Sequence, residues 1–338
     1  MSTSLLPNPV VYRGSDDKEF FKEVSAGLLQ PQKTLPCKFL YDDCGSELFN
    51  QICDLDEYYP TRTETAILHD NIREIAQVIG PGCRLVEFGS GTSTKTRMLL
   101  QHLTDLASYT PIDISSGQLF DSCEKLGTDF PALEILPLAA DYTDSLQLPE
   151  SEMPAQKVVA FFPGSTIGNF EPHEARSFLH RIACLCGRGG GLLIGVDLIK
   201  DRRRLEAAYN DRKGVTAAFN LNVLTRANRE LGSDFDLSSF RHQAIYDAAL
   251  GRIEMRLVSL RPQVVRLANR EFFFDEAEYI TTEYSYKYSL SKFTNLAQSA
   301  GFEVLNVWVD RNRLFSVQYL GVRSDVHEVY GGLGEKGN

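Results

Sequence analysis

The chain has no long basic run, no apolar run long enough to span a bilayer, no His-Glu-x-x-His pair, and no repeat or low-complexity segment. Each absence removes a class of function. Without a basic run and with a formal net charge of −10, nucleic acid and anionic membrane surfaces are poor partners, and a small molecule is the expected one. The apolar run near Leu192 is short and is broken by Asp197. The first residues, Met-Ser-Thr-Ser-Leu-Leu-Pro-Asn-Pro, lack the basic start and apolar stretch of a signal peptide, so a cytoplasmic location is expected; separately, the chain is expected to be a monomer. Seven cysteines, an odd number scattered from Cys37 to Cys186, suit reduced thiols better than a disulfide framework. Cys184-Leu-Cys186 has no second pair, and no metal is expected. What remains is a 338-residue chain, 43% hydrophobic, able to build one large or two ordinary cores.

Its most informative stretch is Arg84-Leu-Val-Glu-Phe-Gly89-Ser-Gly91-Thr-Ser-Thr-Lys95, a short apolar strand that ends in an acid before a glycine turn opens a helix. Glycine lets the backbone approach a ligand closely, and the amides of a helix start favour negative charge. A phosphate loop needs glycine just before Lys-Ser/Thr, and the dinucleotide pattern needs a third glycine; Thr94 stands at both places. Glu87-x-Gly89-x-Gly91 instead resembles the first motif of the S-adenosylmethionine-dependent methyltransferases. A tight turn with no ligand is the plain alternative.

Around this turn, apolar runs alternate with helical patterns, the signature of a parallel sheet covered by helices. Strands are predicted at 85–89, 108–113, 133–136, 158–162 and 192–197, with helices near 94–103, 118–126 and 173–186. The pattern then changes: helices at 203–209 and 217–231 precede alternating stretches at 243–247, 252–260 and 263–267. A helix near 290–300 leads to a terminal hairpin, 303–310 and 314–322. The expected fold is α/β, a Rossmann-like seven-stranded methyltransferase sheet with an inserted α+β substrate-binding domain. Residues 60–198 and 286–322 would form the cofactor domain, 10–59 and 199–285 the substrate domain, and 323–338 a disordered tail.

Ligands of such sheets bind outside the carboxyl ends of the strands, which selects residues to weigh. Asp113 ends the second strand, where an acid hydrogen-bonds a ribose; capping the next helix is its ordinary alternative. Asp141 and Tyr142 follow the third strand, and Lys95 lies in a first helical turn, an unfavourable place for a cation unless it meets an anion. After the fourth strand, Gly164-Ser-Thr-Ile-Gly-Asn169 places a group that both donates and accepts, suited to an amino acid's amine and carboxylate. Glu57-Tyr58-Tyr59-Pro60 offers aromatic faces that attract cations. In Thr282-Glu283-Tyr284-Ser285, period-two alternation puts Glu283 and Ser285 on one face. Interface packing or a solvated face would account for either segment equally.

Taken together, Glu57-Tyr-Tyr-Pro-Thr-Arg62, the Gly89 turn followed by Lys95-Thr-Arg-Met-Leu-Leu, Gly164-Ser-Thr-Ile-Gly-Asn169, Tyr209-Asn-Asp, Gly214-Val-Thr-Ala-Ala-Phe-Asn-Leu-Asn222, Glu254-Met-Arg and the acidic strand at Glu283 resemble the histidine-specific methyltransferases of ergothioneine biosynthesis. The resemblance runs from about Lys38 to Val322. It implies S-adenosyl-L-methionine as cofactor and three methyl transfers to the α-amino group of L-histidine, giving hercynine. It implies that Tyr58, Asn169 and Tyr209 hold the amino-acid end with Tyr41 near the amine, making Tyr41, Tyr58 and Asn169 the catalytic set. Glu283 and Ser285 would grip the imidazole and Met255 would wall it. Gly89, Gly91, Lys95, Asp113, Asp141 and Tyr142 would hold the cofactor. Tyr284 and Tyr286, flanking Ser285, imply a bulkier setting than the bacterial enzymes have. Rivals are a relative acting on a prenylated tryptophan, a non-catalytic sensor of S-adenosylmethionine or an amino acid, and a nicotinamide oxidoreductase, the last disfavoured by the missing third glycine.

Overall fold

A computed structural model describes residues 10–11, 16–91, 93–144 and 146–326. Its strands, in chain order, are β1 (Val10–Val11), β2 (Cys83–Phe88), β3 (Ser108–Asp113), β4 (Glu134–Ile135), β5 (Leu138–Ala139), β6 (Lys157–Phe162), β7 (Gly191–Asp197), β8 (Phe240–Asp247), β9 (Arg252–Ser259), β10 (Gln263–Leu267), β11 (Arg270–Phe274), β12 (Tyr279–Tyr286), β13 (Phe302–Val309) and β14 (Phe315–Val322). The chain forms two compact units, one of Met1–Tyr12, Thr63–Leu198 and Tyr288–Asn338, the other of Arg13–Arg62 and Ile199–Lys287.

The first unit holds a sheet in the order β1-β5-β3-β2-β6-β7-β14-β13, with β4 beside β3. The strands β1 to β7 pair in parallel, and β14 runs antiparallel to both of its neighbours. This is the expected methyltransferase order with two departures. The third strand is split into β4 and β5 at Pro137, which has no N–H for the ladder. Val10–Val11 extends the edge beside β5, so it belongs to this unit and not with the residues after 13. β2 and β7 are almost wholly buried, because helices cover both faces of a parallel sheet. One of them, Tyr59–Ile79, turns Leu68, Ile72, Ile75 and Ile79 into the core at a spacing of three and four residues. Another, Pro172–Cys186, opens with proline in its first turn and a reciprocal Glu171/Glu174 capping box. Order also runs past residue 322: Ser324–Val326 forms a short turn whose Val326 is buried, so the expected tail is too long at its start. The remainder, 327–338, lies outside the described residues.

The second unit contains a three-stranded antiparallel sheet, β12-β9-β8, and a separate β10-β11 hairpin. The strand β11 is absent from the sequence expectation, which saw one stretch at 263–267 and no partner for it. Helices Asp16–Leu28, Asp43–Cys53, Arg202–Tyr209 and Val215–Leu231 complete the unit. Asp211 starts the last of these, accepting from the amides of Val215 and Thr216, and Gly232 ends it in the left-handed region at φ 66°. A bulge between Thr281 and Glu283 shifts the register of β12 on β9, after which Glu283 stands opposite Met255 and Ser285 opposite Ile253.

Candidate active site

In the first unit, Gly89 and Gly91 both take positive φ, 73° and 48°, as the turn after β2 requires. A side chain on Gly91 would meet no atom within 4 Å, while Ser90 Oγ beside it is buried and has no hydrogen-bond partner among the described residues. Asp113 braces this turn: its carboxylate accepts from Gly91 N at 3.1 Å and Ser115 N at 2.9 Å. Ser115 makes no capping bond of its own, so the acid serves the helix start and the turn together. With the Ile114 amide as a third backbone donor, the carboxylate keeps one acceptor site. Burial raises its pKa, against the pull of these amides. An orphaned hydroxyl, open space at a glycine and an acid with a spare acceptor site fit a cofactor carrying hydroxyls and an amino-acid end.

The motif acid Glu87 has an internal task. It is buried and accepts from Thr96 Oγ1 at 2.6 Å and from the Tyr109 hydroxyl, tying β2 to the next helix and to β3. Burial pushes its carboxyl up to about 8. Lys95 meets an anion, as its place in the first turn demands, but that anion is Glu64 of the same unit. Glu64 is fully buried and also accepts from Gly164 N at 2.9 and 3.0 Å. It therefore fastens the Gly164 loop to the Thr94–Leu100 helix, a role the sequence reading missed. Its location on a helix otherwise apolar at that spacing was the available signal.

That loop is held at a second point, where Ser165, at φ 60°, accepts from the amide of Asp197 at 2.9 Å. The short turn Thr166–Asn169 follows, leaving Asn169 half-buried with no side-chain hydrogen bond among the described residues. Asp141 folds its own loop, accepting from Thr143 N at 2.8 Å and Thr143 Oγ1 at 2.6 Å. Tyr142 packs edge-on against Phe88 and Phe162, with centroids 6.2 and 5.8 Å away.

The second unit assembles side chains far apart in sequence. Tyr58 lies between Phe49 and Tyr209, with ring centroids 6.2 and 6.1 Å away, and Tyr41 packs on Phe49 at 5.5 Å and Phe219 at 5.4 Å. Burial pushes the Tyr58 phenol well above its ordinary value, so it stays neutral. Glu283, 9% exposed, accepts no hydrogen bond from any described residue. Burial pushes its carboxyl up to about 7, with the Lys287 ammonium pulling the other way. Its cross-strand neighbour Met255 is buried on the same face.

Ser285 Oγ lies 2.9 Å from Tyr209 Oη, and Lys287 Nζ donates to both, at 2.7 and 3.0 Å. Lys287 was not singled out from the sequence, yet it continues the Glu283, Ser285 alternation by one step and is 3% exposed. Tyr209 is fixed from behind, its carbonyl accepting from His242 Nε2 at 2.7 Å while Asn220 Nδ2 donates to His242 Nδ1 at 2.9 Å. Tyr284 and Tyr286 do not crowd this face. They alternate onto the other one, where the Arg252 guanidinium stacks 3.7 Å from the Tyr284 centroid and donates to Tyr286 Oη at 2.6 Å.

The profile of the family described as "Histidine-specific methyltransferase, SAM-dependent" matches residues 20–322. The chain belongs to this family. It is therefore an S-adenosylmethionine-dependent methyltransferase, with the sheet order of that enzyme class. The histidine N-alpha-methyltransferase of Mycolicibacterium smegmatis is 42% identical over 295 residues, covering 86% of this chain and 90% of that one. Its Mycobacterium tuberculosis counterpart is 40% identical over 298 residues, with the same coverage. Ergothioneine biosynthesis protein 1 of Neurospora crassa is 31% identical over 303 residues, covering 83% of this chain and 32% of that longer protein.

Proposed function

We propose that this chain methylates the α-amino group of L-histidine, up to three times, to give hercynine. The observation that carries the reading is the buried Glu283 carboxylate, left without a hydrogen-bond donor among the described residues beside a Ser285–Tyr209–Lys287 cluster. A buried acceptor in that state is costly unless a ligand supplies the donor, and an imidazole N–H is such a donor. Family membership and the mycobacterial relatives support the same substrate. A prenylated tryptophan fits less well, because an indole has an N–H but no ring nitrogen to accept from a hydroxyl.

In this reading Gly89, Ser90, Gly91 and Asp113 hold S-adenosylmethionine, with Asp141 and Tyr142 on its adenine side. Lys95 acts through Glu64 on the Gly164 loop. The cofactor supplies a methyl group on a sulfonium, open to direct displacement. The protein's share is positioning, potentially worth roughly 7–11 kcal/mol. Asn169 and Tyr58 orient the amino-acid end, Tyr209, which the resemblance also assigns there, stands at the ring end through its bond with Ser285 Oγ, Met255 walls the ring, and Glu283 with Ser285 fixes its tautomer. A substrate ammonium must lose a proton before each transfer. Tyr58, held neutral by burial, serves as a hydrogen-bond partner, and Tyr41 is assigned the relay of that proton to water.

A cytoplasmic monomer is the proposed state, on the acidic composition and the odd number of cysteines; separately, no described helix is long and apolar enough to cross a membrane. Mass spectrometry after incubation with S-adenosylmethionine and the twenty amino acids tests the assignment. Histidine should gain up to three methyl groups, all on the α-nitrogen. Methyl groups on the imidazole, or preferential methylation of tryptophan, would overturn it.

A further inference from the structure

The strand that carries Glu283 and Ser285 buries one more charged group on the same face, and the assigned reaction gives it no task. The backbone of Lys287 continues the strand, its amide donating to Gly251 O at 2.8 Å. Its side chain is 3% exposed, and a lysine is rarely buried to that extent. The ammonium lies 4.9 Å from the Tyr209 ring centroid and donates to Ser285 Oγ and Tyr209 Oη. Among the described residues Glu283 accepts nothing from it, so Lys287 is not there to neutralise that carboxylate by direct pairing.

An ammonium can only donate. It therefore occupies a lone pair on each of the two hydroxyls, which lie 2.9 Å from one another. Between them a single hydrogen is shared. Either hydroxyl could be the donor by distance; the phenol is the stronger acid and the alkyl hydroxyl the stronger acceptor, which favours Tyr209 donating to Ser285. With Lys287 and Tyr209 both donating to it, Ser285 Oγ has both lone pairs occupied, and its own hydrogen can only point outward. The face then presents a carboxylate acceptor at Glu283 and, two residues on, a fixed O–H donor at Ser285. A neutral imidazole presents the complement, one N–H donor and one nitrogen acceptor.

We propose that Lys287 is a positioning residue for ring specificity: by donating to Ser285 and Tyr209 it sets the direction of their hydroxyls, so that Ser285 donates to the acceptor nitrogen of the substrate's imidazole. The inference rests on the histidine reading above. Without the ammonium, Ser285 is free to rotate and donate to Tyr209, and the site loses its preference for a ring that accepts.

The test compares histidine with pyrrolylalanine, which keeps a ring N–H but has no acceptor nitrogen, in the full-length wild type and Lys287→Met. The wild type should prefer histidine, and Lys287→Met should reduce that preference by about tenfold, the worth of one hydrogen bond in a site built to make it. The loss should lie in KM for histidine, with kcat reduced less than about threefold and S-adenosylmethionine affinity within about twofold. Lys287→Arg, which still donates, should keep the preference within about threefold and serves alone if the methionine variant fails to fold. Equal weakening of both substrates, an unchanged ratio, or loss of selectivity in Lys287→Arg would overturn the proposal. A wild type with no preference for histidine over pyrrolylalanine would instead overturn the histidine reading itself.

Discussion

Each unit buries a glutamate where a ligand is expected, and the two have opposite surroundings. Glu64 of the first unit is saturated, accepting from the Gly164 amide and the Lys95 ammonium. Glu283 of the second accepts nothing among the described residues, and burial pushes its carboxyl up to about 7. A saturated buried acid is scaffold: it holds a loop in place and gains nothing from a ligand. An unsatisfied one is a binding group waiting for a donor, because desolvation already costs free energy that a ligand can recover. In the proposed reading the cofactor is met by the glycine turn and the Asp113 carboxylate, whereas the substrate ring is met by Glu283 and Ser285.

Glu283→Ala should show the larger effect if this contrast is sound. We expect kcat/KM for histidine to fall by about 2–4 kcal/mol, or roughly one and a half to three decades, with S-adenosylmethionine affinity little changed. Turnover within about threefold of wild type would place Glu283 with the scaffold acids. Its titration offers a finer readout. The carboxyl is neutral below about 7 in the free protein, and only the ionised form accepts the imidazole N–H strongly. Histidine KM should therefore fall as pH rises through that value, and the ratio of wild-type to Glu283→Gln KM should show it without interference from the substrate's own titration. The same shift makes Glu283 destabilising as pH rises from its ordinary range through about 7.

Asp113→Ala probes the other side of the contrast. It should weaken S-adenosylmethionine binding by about 1.5–3 kcal/mol, read by calorimetric titration, and leave histidine selectivity intact. Unchanged affinity would locate the cofactor elsewhere. For the scaffold acid itself, Gly195→Ala is the sharper probe than removing Glu64. A Cβ there would stand 2.0 Å from Glu64 Oε1, and Glu64 is fully buried with no room to swing out. Destabilisation of about 1–3 kcal/mol is expected, seen as a lower urea midpoint.

The smallest effect concerns His242, whose pKa is lowered, chiefly by burial. Protonation at Nδ1 would cost the bond from Asn220, so the stability its neutral form contributes is present above its ordinary range and is lost as pH falls below it. Wild-type Tm should drop slightly more than that of His242→Gln on acidification, and parallel curves would deny the histidine that role.

Much of the first unit was legible in the residues because its determinants are local. Buried strands read as continuous apolar runs, glycines mark the turn at Gly89 and Gly91, and an acid, Asp113, ends the next strand beside that turn. Where the reading departed, a nonlocal partner decided. Lys95 was seen to require an anion, but that it is Glu64, 31 residues earlier, is visible only once the chain is folded. The second unit was less legible for the same reason. Alternation placed Glu283 and Ser285 on one face, yet Tyr209 reaches Ser285 across 76 residues, and no local pattern announces that bond.

Composition, period and turn chemistry thus determined the parallel sheet, the glycine turn and the candidate acids, since these depend on interactions within a few residues. Tertiary structure alone decided which acids are spent and which are free to bind. Whether a carboxylate is saturated depends on where distant donors come to rest and on how much water is excluded, and both are properties of the packed chain. The same holds for Tyr284 and Tyr286. In sequence they flank Ser285 and suggest a crowded aromatic site, but a strand sends neighbours to opposite faces, and Arg252 takes both rings on the other side.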